Sequence, residues 1–214
     1  MRKALLPLVP LLLAACPQAE QEAPPASAET AAPAQPAATR DTVVLETSRG
    51  RIVLELDPGK APESVANFLK HVRAGFYSGL IFHRIEPNFV IQAGAVTEAA
   101  GQRTSTVYPV RNEAQNGLRN LRGTVAMART GDPHSATSEF FINLKDNAGL
   151  DYTAPTIEGW GYAVFGRVIE GMAVVDAIAA TPTTRRGPYR TYPTVPTVIT
   201  RASVGALAPT PTNQ

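Results

Sequence analysis

The sequence predicts a mainly β domain, a closed antiparallel barrel capped by two α-helices. Short runs of alternating apolar residues, separated by Gly, Pro and Asn turn signals, recur between Thr42 and Val204. Only two segments have helical spacing, and they are far apart in the chain. Many short strands need their edges hidden, and closing the sheet removes the edges. Composition by itself does not separate such a barrel from a sandwich. Hydrophobic residues are 44% of the 214, enough for a real core.

Residues 1–15 read as a leader rather than as part of the fold. Arg2 and Lys3 precede an apolar run from Ala4 to Leu13. That run is shorter than the roughly 20 residues a bilayer span needs, and it has the flanks of a secretory segment. It ends in Leu13-Ala14-Ala15-Cys16, which resembles the lipobox of bacterial lipoproteins. Cys16 is the only cysteine, so it has no partner within the chain for a disulfide and is the expected lipidation site. Acyl chains, at about 0.8 kcal/mol per buried CH₂, would hold the protein at a membrane of the cell envelope. Loss of Arg2 and Lys3 takes Lys+Arg from 20 to 18 against 18 Asp+Glu, so no basic excess points to nucleic acid. Residues 16–40 read as the lipidated Cys and a disordered linker. Fourteen of the 24 residues after Cys16 are Ala or Pro, and none is Val, Ile, Leu, Met or aromatic. Such a segment cannot offset its ordering entropy. Residues 41–207 are then the folded domain and 208–214 a flexible tail.

Within the domain, Val43 to Thr47 and Arg51 to Asp57 alternate and flank the Ser48-Arg49-Gly50 turn, which makes a hairpin with Ile52, Leu54 and Leu56 on one face. Pro62 to Ala74 is a helix. Pro62 suits its first turn, and Val65, Phe68, Leu69 and Val72 form one stripe. Gly75 suits a left-handed cap, and His71 is expected at the surface. Strands follow at Leu80–Glu86 and Phe89–Gly94 around Pro87-Asn88, then at Gly123–Arg129, Glu139–Leu144 and Ala163–Val168. A second helix runs from about Met172 to Ala179, and Val198–Val204 closes the domain.

The segment Phe82-His83-Arg84-Ile85-Glu86-Pro87-Asn88-Phe89-Val90-Ile91-Gln92-Ala93-Gly94 resembles the signature of the cyclophilins, peptidyl-prolyl cis/trans isomerases. Three more blocks match in order: Gly123 to Arg129, Ser138 to Asn143 and Tyr162 to Val168. The resemblance covers about Thr42 to Val204 and is greatest to the bacterial secreted branch. It implies an eight-stranded barrel and an enzyme that turns Xaa–Pro bonds in proline-containing polypeptides without a cofactor or metal.

That reaction makes and breaks no bond. Its barrier, about 18–20 kcal/mol, is the lost amide resonance. In the twisted state the proline nitrogen becomes a better hydrogen-bond acceptor, so a cationic donor aimed at it favours the transition state over either ground state. Arg84 is the candidate donor, with five N–H groups on a permanent charge. It is placed on one face with Phe82 and Glu86, with His83 pointing away in a structural role. Gln92, across the Pro87-Asn88 turn, is expected beside Arg84. The resemblance assigns Phe89, Val90, Phe141, Leu150 and Tyr162 to the proline pocket, and Ala128 and Arg129 to the residues before proline. Phe140 and Phe141 are adjacent on a strand and must face opposite ways. The resemblance puts Phe141 on the groove side.

Three departures from the family pattern stand out. Glu139 occupies a position where most members have Gln. It would pair with Arg84 or Arg129, favour basic clients, or hold Arg84 off the proline nitrogen. Gly149 replaces an aromatic that contacts cyclosporin in many members, which implies weak inhibition by that drug. Tyr152 to Gly159 is a longer loop, and Trp160 after it is expected to anchor the loop or enter the core. His134, in a polar loop, is expected to be solvated. The competing classes are a proline-binding scaffold with little turnover, which Glu139 leaves open, and a hydrolase. The chain has neither a Gly-x-Ser-x-Gly elbow nor His-Glu-x-x-His spacing to support the latter. A monomer is expected, facing the periplasm or the exterior.

Overall fold

A computed structural model describes residues 41–205. Cys16, the linker and the tail lie outside the described residues. The chain runs β1 (Thr42–Thr47), β2 (Gly50–Leu56), α1 (Pro62–Arg73), β3 (Leu80–Glu86), β4 (Val90–Thr97), β5 (Thr124–Met127), β6 (Phe140–Asn143), β7 (Val164–Glu170), α2 (Met172–Ala179), β8 (Thr183–Arg186), β9 (Tyr189–Pro193) and β10 (Val198–Gly205). Eight strands close an antiparallel barrel in the order β1-β10-β3-β4-β6-β5-β7-β2, and β8 and β9 form a separate hairpin. The barrel and its two helices match the expected architecture. The β8–β9 hairpin is an addition that the sequence reading missed.

Alternation fills the barrel as expected. Val43, Leu45, Ile52, Leu54 and Leu56 are fully buried in one cluster with Phe82, Phe140 and Phe165. The predicted stripe of α1 lies on this cluster, and Phe68 sits 5.1–5.3 Å, ring to ring, from Tyr77, Phe140 and Phe165. Val175 and Ile178 of α2 join the same core. Gly75 takes φ +66 just after α1, as its capping role requires.

The reading of His71 is corrected, because it is 2% exposed. Ser64, Asn67 and His71 form a second, polar stripe on α1 that is also buried. Each member has a remote partner. Glu113 accepts from the Ser64 hydroxyl (2.7 Å) and from the backbone N–H groups of Glu63 and Ser64 (3.0 and 2.8 Å), capping a helix whose own N-cap, Ala61, has no side chain for the purpose. The Asn67 amide donates to the carbonyl of Thr137. His71 Nδ1 faces the Asn67 carbonyl at 2.8 Å and Nε2 the Ser105 hydroxyl at 2.8 Å. A carbonyl only accepts, so Nδ1 carries the proton and Nε2 accepts from Ser105. Burial pulls the imidazole pKa down, with a smaller push from Lys70, and outweighs the upward effect of the Asn67 bond.

Candidate active site

The site is built on the β3–β4–β6–β5 stretch of the barrel wall. Pro87 and Asn88 make the tight turn between β3 and β4. The Phe89 N–H donates to the Glu86 carbonyl at 3.0 Å, and Asn88 takes φ +57, a conformation Asn tolerates. Beyond the turn, Arg84 pairs across the strands with Gln92, and Arg84 Nη1 donates to Gln92 Oε1 at 3.2 Å. The expected neighbours therefore meet.

The facing of β3 is corrected. Phe82 pairs with Ala93 and Arg84 with Gln92, so two steps on β3 match one on β4. This is a β-bulge, and it breaks the alternation. Leu80, Phe82 and Ile85 enter the core, while Arg84 and Glu86 stay on the outer side. Arg84 does not share a face with Phe82. His83 is not turned away from the site, since its Nε2 lies 3.4 Å from Glu139 Oε2.

Phe140 and Phe141 separate as the alternation requires. Phe140 is fully buried inside the barrel. Phe141 joins a second, outer cluster with Val90, Ala126, Ala128 and Val164, edged by Phe89, Leu118, Leu150 and Tyr162. Tyr162 meets Phe141 edge-on at 5.5 Å. One cavity of about 160 Å³ is lined by Arg84, Phe89, Val90, Gln92, Ala128, Arg129, Phe141, Leu150 and Tyr162. Nine of the ten expected site residues thus converge on one slot, with apolar walls from Phe89, Val90, Ala128, Phe141, Leu150 and Tyr162 and a polar edge of Arg84, Gln92 and Arg129. The Arg84 guanidinium is 5.9 Å from the Phe89 ring centroid, and that of Arg129 is 4.7 Å from the Tyr162 centroid. Arg129 Nε also donates to the Gly161 carbonyl at 2.9 Å.

Glu139 is the tenth, and it lies on the far side of Gln92, in a neighbouring cavity. It pairs with neither Arg84 nor Arg129. Its Oε2 accepts from Gln92 Nε2 at 2.7 Å and faces His83. Because a carboxylate only accepts, this contact turns the Gln92 amide so that its oxygen faces Arg84. Burial alone would raise the Glu139 carboxyl pKa; the hydrogen bond and charge of His83 and the Gln92 amide prevail and lower it. The carboxylate at Arg84 is instead Glu86, 3.5 Å from Nη2.

The walls of the slot rest on buried asparagines that the sequence reading missed. Asn147 donates to the Phe89 carbonyl (3.0 Å) and to Asn143 Oδ1 (2.8 Å). Asn143 donates to Asn120 Oδ1 (3.2 Å), and Asn120 donates to the carbonyls of Leu150 (3.1 Å) and Tyr162 (3.3 Å). Behind the slot, Gly94 at φ +111 lets β4 approach Ser138, whose carbonyl oxygen would lie 2.4 Å from any added Cβ. Trp160 anchors the 152–159 loop through ring contacts with Tyr152 (5.5 Å) and His134 (4.8 Å). His134 is exposed but engaged, since its Nδ1 accepts from the Asn112 N–H at 3.1 Å. Among the described residues no cluster of His, Cys, Asp and Glu could hold a metal.

Residues 42–204 match the family described as cyclophilin type peptidyl-prolyl cis-trans isomerase/CLD. The chain belongs to this family. A peptidyl-prolyl cis-trans isomerase of Streptomyces antibioticus is 56% identical over 163 residues, covering 76% of this chain and 98% of its own. Isomerase A of Dickeya dadantii is 51% identical over 172 residues (80% and 88%), and isomerase B of Escherichia coli 46% over 162 (76% and 98%). A crystal structure of a Cryptosporidium parvum cyclophilin, 22% identical, superposes with TM-score 0.64 over 79% of this chain and 99% of its own, which establishes the shared fold. This cyclophilin is a peptidyl-prolyl cis-trans isomerase.

Proposed function

We propose that the enzyme turns Xaa–Pro bonds in exported or envelope polypeptides, with Arg84 donating to the proline nitrogen in the twisted transition state. The observation that carries this reading is the position of Arg84, 39% exposed beside the apolar wall of the slot and held on one side by Gln92 and on the other by Glu86. The proline ring fills the slot against Phe141, Phe89, Val90, Leu150 and Tyr162. Ala128 and Arg129 border the residues before it. With its guanidinium already oriented, Arg84 spends little reorganisation when charge builds on the nitrogen. Glu139 fixes the Gln92 amide and so supports Arg84 rather than withdrawing it.

Lipidation at Cys16 would tether the domain, as a monomer, to an envelope membrane, where secreted chains with slow prolines pass. The Leu13-Ala14-Ala15-Cys16 pattern and the Ala/Pro-rich residues after it support this part of the reading. The deciding experiment is the cis-to-trans rate of a short Xaa–Pro peptide with the full chain added. Arg84→Ala is expected to lower kcat/KM by about 10²–10³, the scale of losing one preorganised donor. Its stability should fall by about 1 kcal/mol at most, the scale of the partly exposed pair it loses. Unchanged catalysis in Arg84→Ala would remove Arg84 from the mechanism.

A further inference from the structure

The cavity next to the proline slot has no part in the mechanism above. It encloses about 460 Å³, against about 160 Å³ for the slot, and Arg84 and Gln92 line both. The two cavities therefore adjoin, and a residue close in sequence to a proline in the slot is within reach of the second. One wall is the β8–β9 hairpin, through Tyr189 and Arg190; the other carries Glu86 and Glu139 together with Arg84, which is engaged by Glu86 and Gln92, and His83, which faces Glu139.

The two carboxylates are half engaged. Glu86 Oε1 takes the Thr191 hydroxyl (3.1 Å) and Arg84, and Glu139 Oε2 takes Gln92 and His83. Among the described residues, the second oxygen of each has no hydrogen-bond partner. Glu139 is immobilised by two neighbours, its side chain is 35% exposed, and its pKa is lowered, so it presents a fixed anion in a partly desolvated place. The opposing cation, Arg190, is exposed and has no ion-pair partner among the described residues. A solvated charge on a long flexible stem is screened, whereas an anchored and partly buried one is screened less.

We propose that this cavity is a subsite for a basic side chain, Lys or Arg, close in sequence to the proline being turned, with the free oxygen of Glu139 as its principal acceptor. The proposal rests on the reading that the slot holds proline. The test uses the full chain and a panel of proline peptides with Lys, Ala or Glu at each of the two positions on either side of the Xaa–Pro bond. At one position Lys should exceed Glu in kcat/KM by about two- to fivefold, the range of a partly exposed ion pair. The preference should shrink in about 1 M salt, where the screening length is about 3 Å. Glu139→Gln should abolish it. The Lys-to-Glu ratio within each variant cancels any effect of Glu139 on Arg84 through Gln92, which slows all peptides alike. Equal rates at every position, or a preference for Glu that would hand the site to Arg190, would overturn the subsite alone. No turnover of any peptide would overturn the slot reading, and the subsite with it.

Discussion

Phe140 and Phe141 are neighbours on β6, almost equally hidden at 0% and 4% exposure, yet they serve different purposes. Phe140 packs inside the barrel against Phe68, Tyr77 and Phe82. Phe141 packs outside it, as a wall of an open slot beside Arg84. Burial thus does not distinguish a structural side chain from a ligand-facing one. What distinguishes them is whether the far side of the ring is closed by the protein or left for a substrate.

The largest effect expected from this contrast is on stability. Phe140→Ala should cost about 3–5 kcal/mol, the range for emptying a sealed aromatic site. Phe141→Ala should cost less, because its cavity opens to water, and should instead raise KM for proline peptides. Urea melts alongside kinetics would check both, and equal losses of stability would erase the distinction. A smaller, pH-dependent contrast lies between His71 beneath the barrel wall and Glu139 outside it. The imidazole pKa of His71 in the folded protein lies below its ordinary 6.5, so the unfolded chain takes up that proton first. The resulting stabilisation is complete above pH 6.5 and drains as pH falls from there toward the folded value. The Glu139 carboxyl, below its ordinary 4.5, contributes above pH 4.5 and is lost as pH falls through its folded value. Melting temperature against pH should therefore drop in two stages, and His71→Gln should remove the first. The smallest effect concerns Gly149, which is exposed and has open space where a side chain would stand. Cyclosporin should inhibit weakly, and Gly149→Trp should strengthen inhibition. Low-nanomolar inhibition of the unaltered enzyme would contradict this.

Much of the fold was legible because its signals are local. The alternation of β1 and β2, the stripe and glycine cap of α1, and the opposed pair Phe140 and Phe141 all follow from period and turn chemistry. Arg84, Phe89, Val90, Gln92 and Phe141 converged because they lie on one contiguous segment or on the strand paired with it, whereas Ala128, Arg129, Leu150 and Tyr162 lie beyond strand ends and were placed by the family resemblance. The rest depends on partners remote in sequence. Nothing near His83 marks a bulge, which exists only through pairing with β4. His71 reads as a polar helix residue until Ser105 covers it. Asn120, Asn143 and Asn147 look like turn or surface residues until they bond one another. The β8–β9 hairpin did leave a trace, a Gly187-Pro188 turn between Thr- and Tyr-rich flanks, but with few apolar residues it has no alternation to notice.

The seam of the barrel bears on how the enzyme comes into being. β10, the last strand, lies between β1 and β3, and Thr42 bonds Gly205 across 163 positions. Until β10 arrives, β1 and β3 are both open edges, inviting the wrong pairing, and their closure pays for the longest loop in the domain. β3 carries Arg84. A chain emerging from a ribosome can therefore pair the Arg84 end of β3 with β4, through Gln92, before the end of the domain is delivered, while the Leu80–Ile81 end waits for β10. This folding catalyst closes its own barrel only when its final strand is in place.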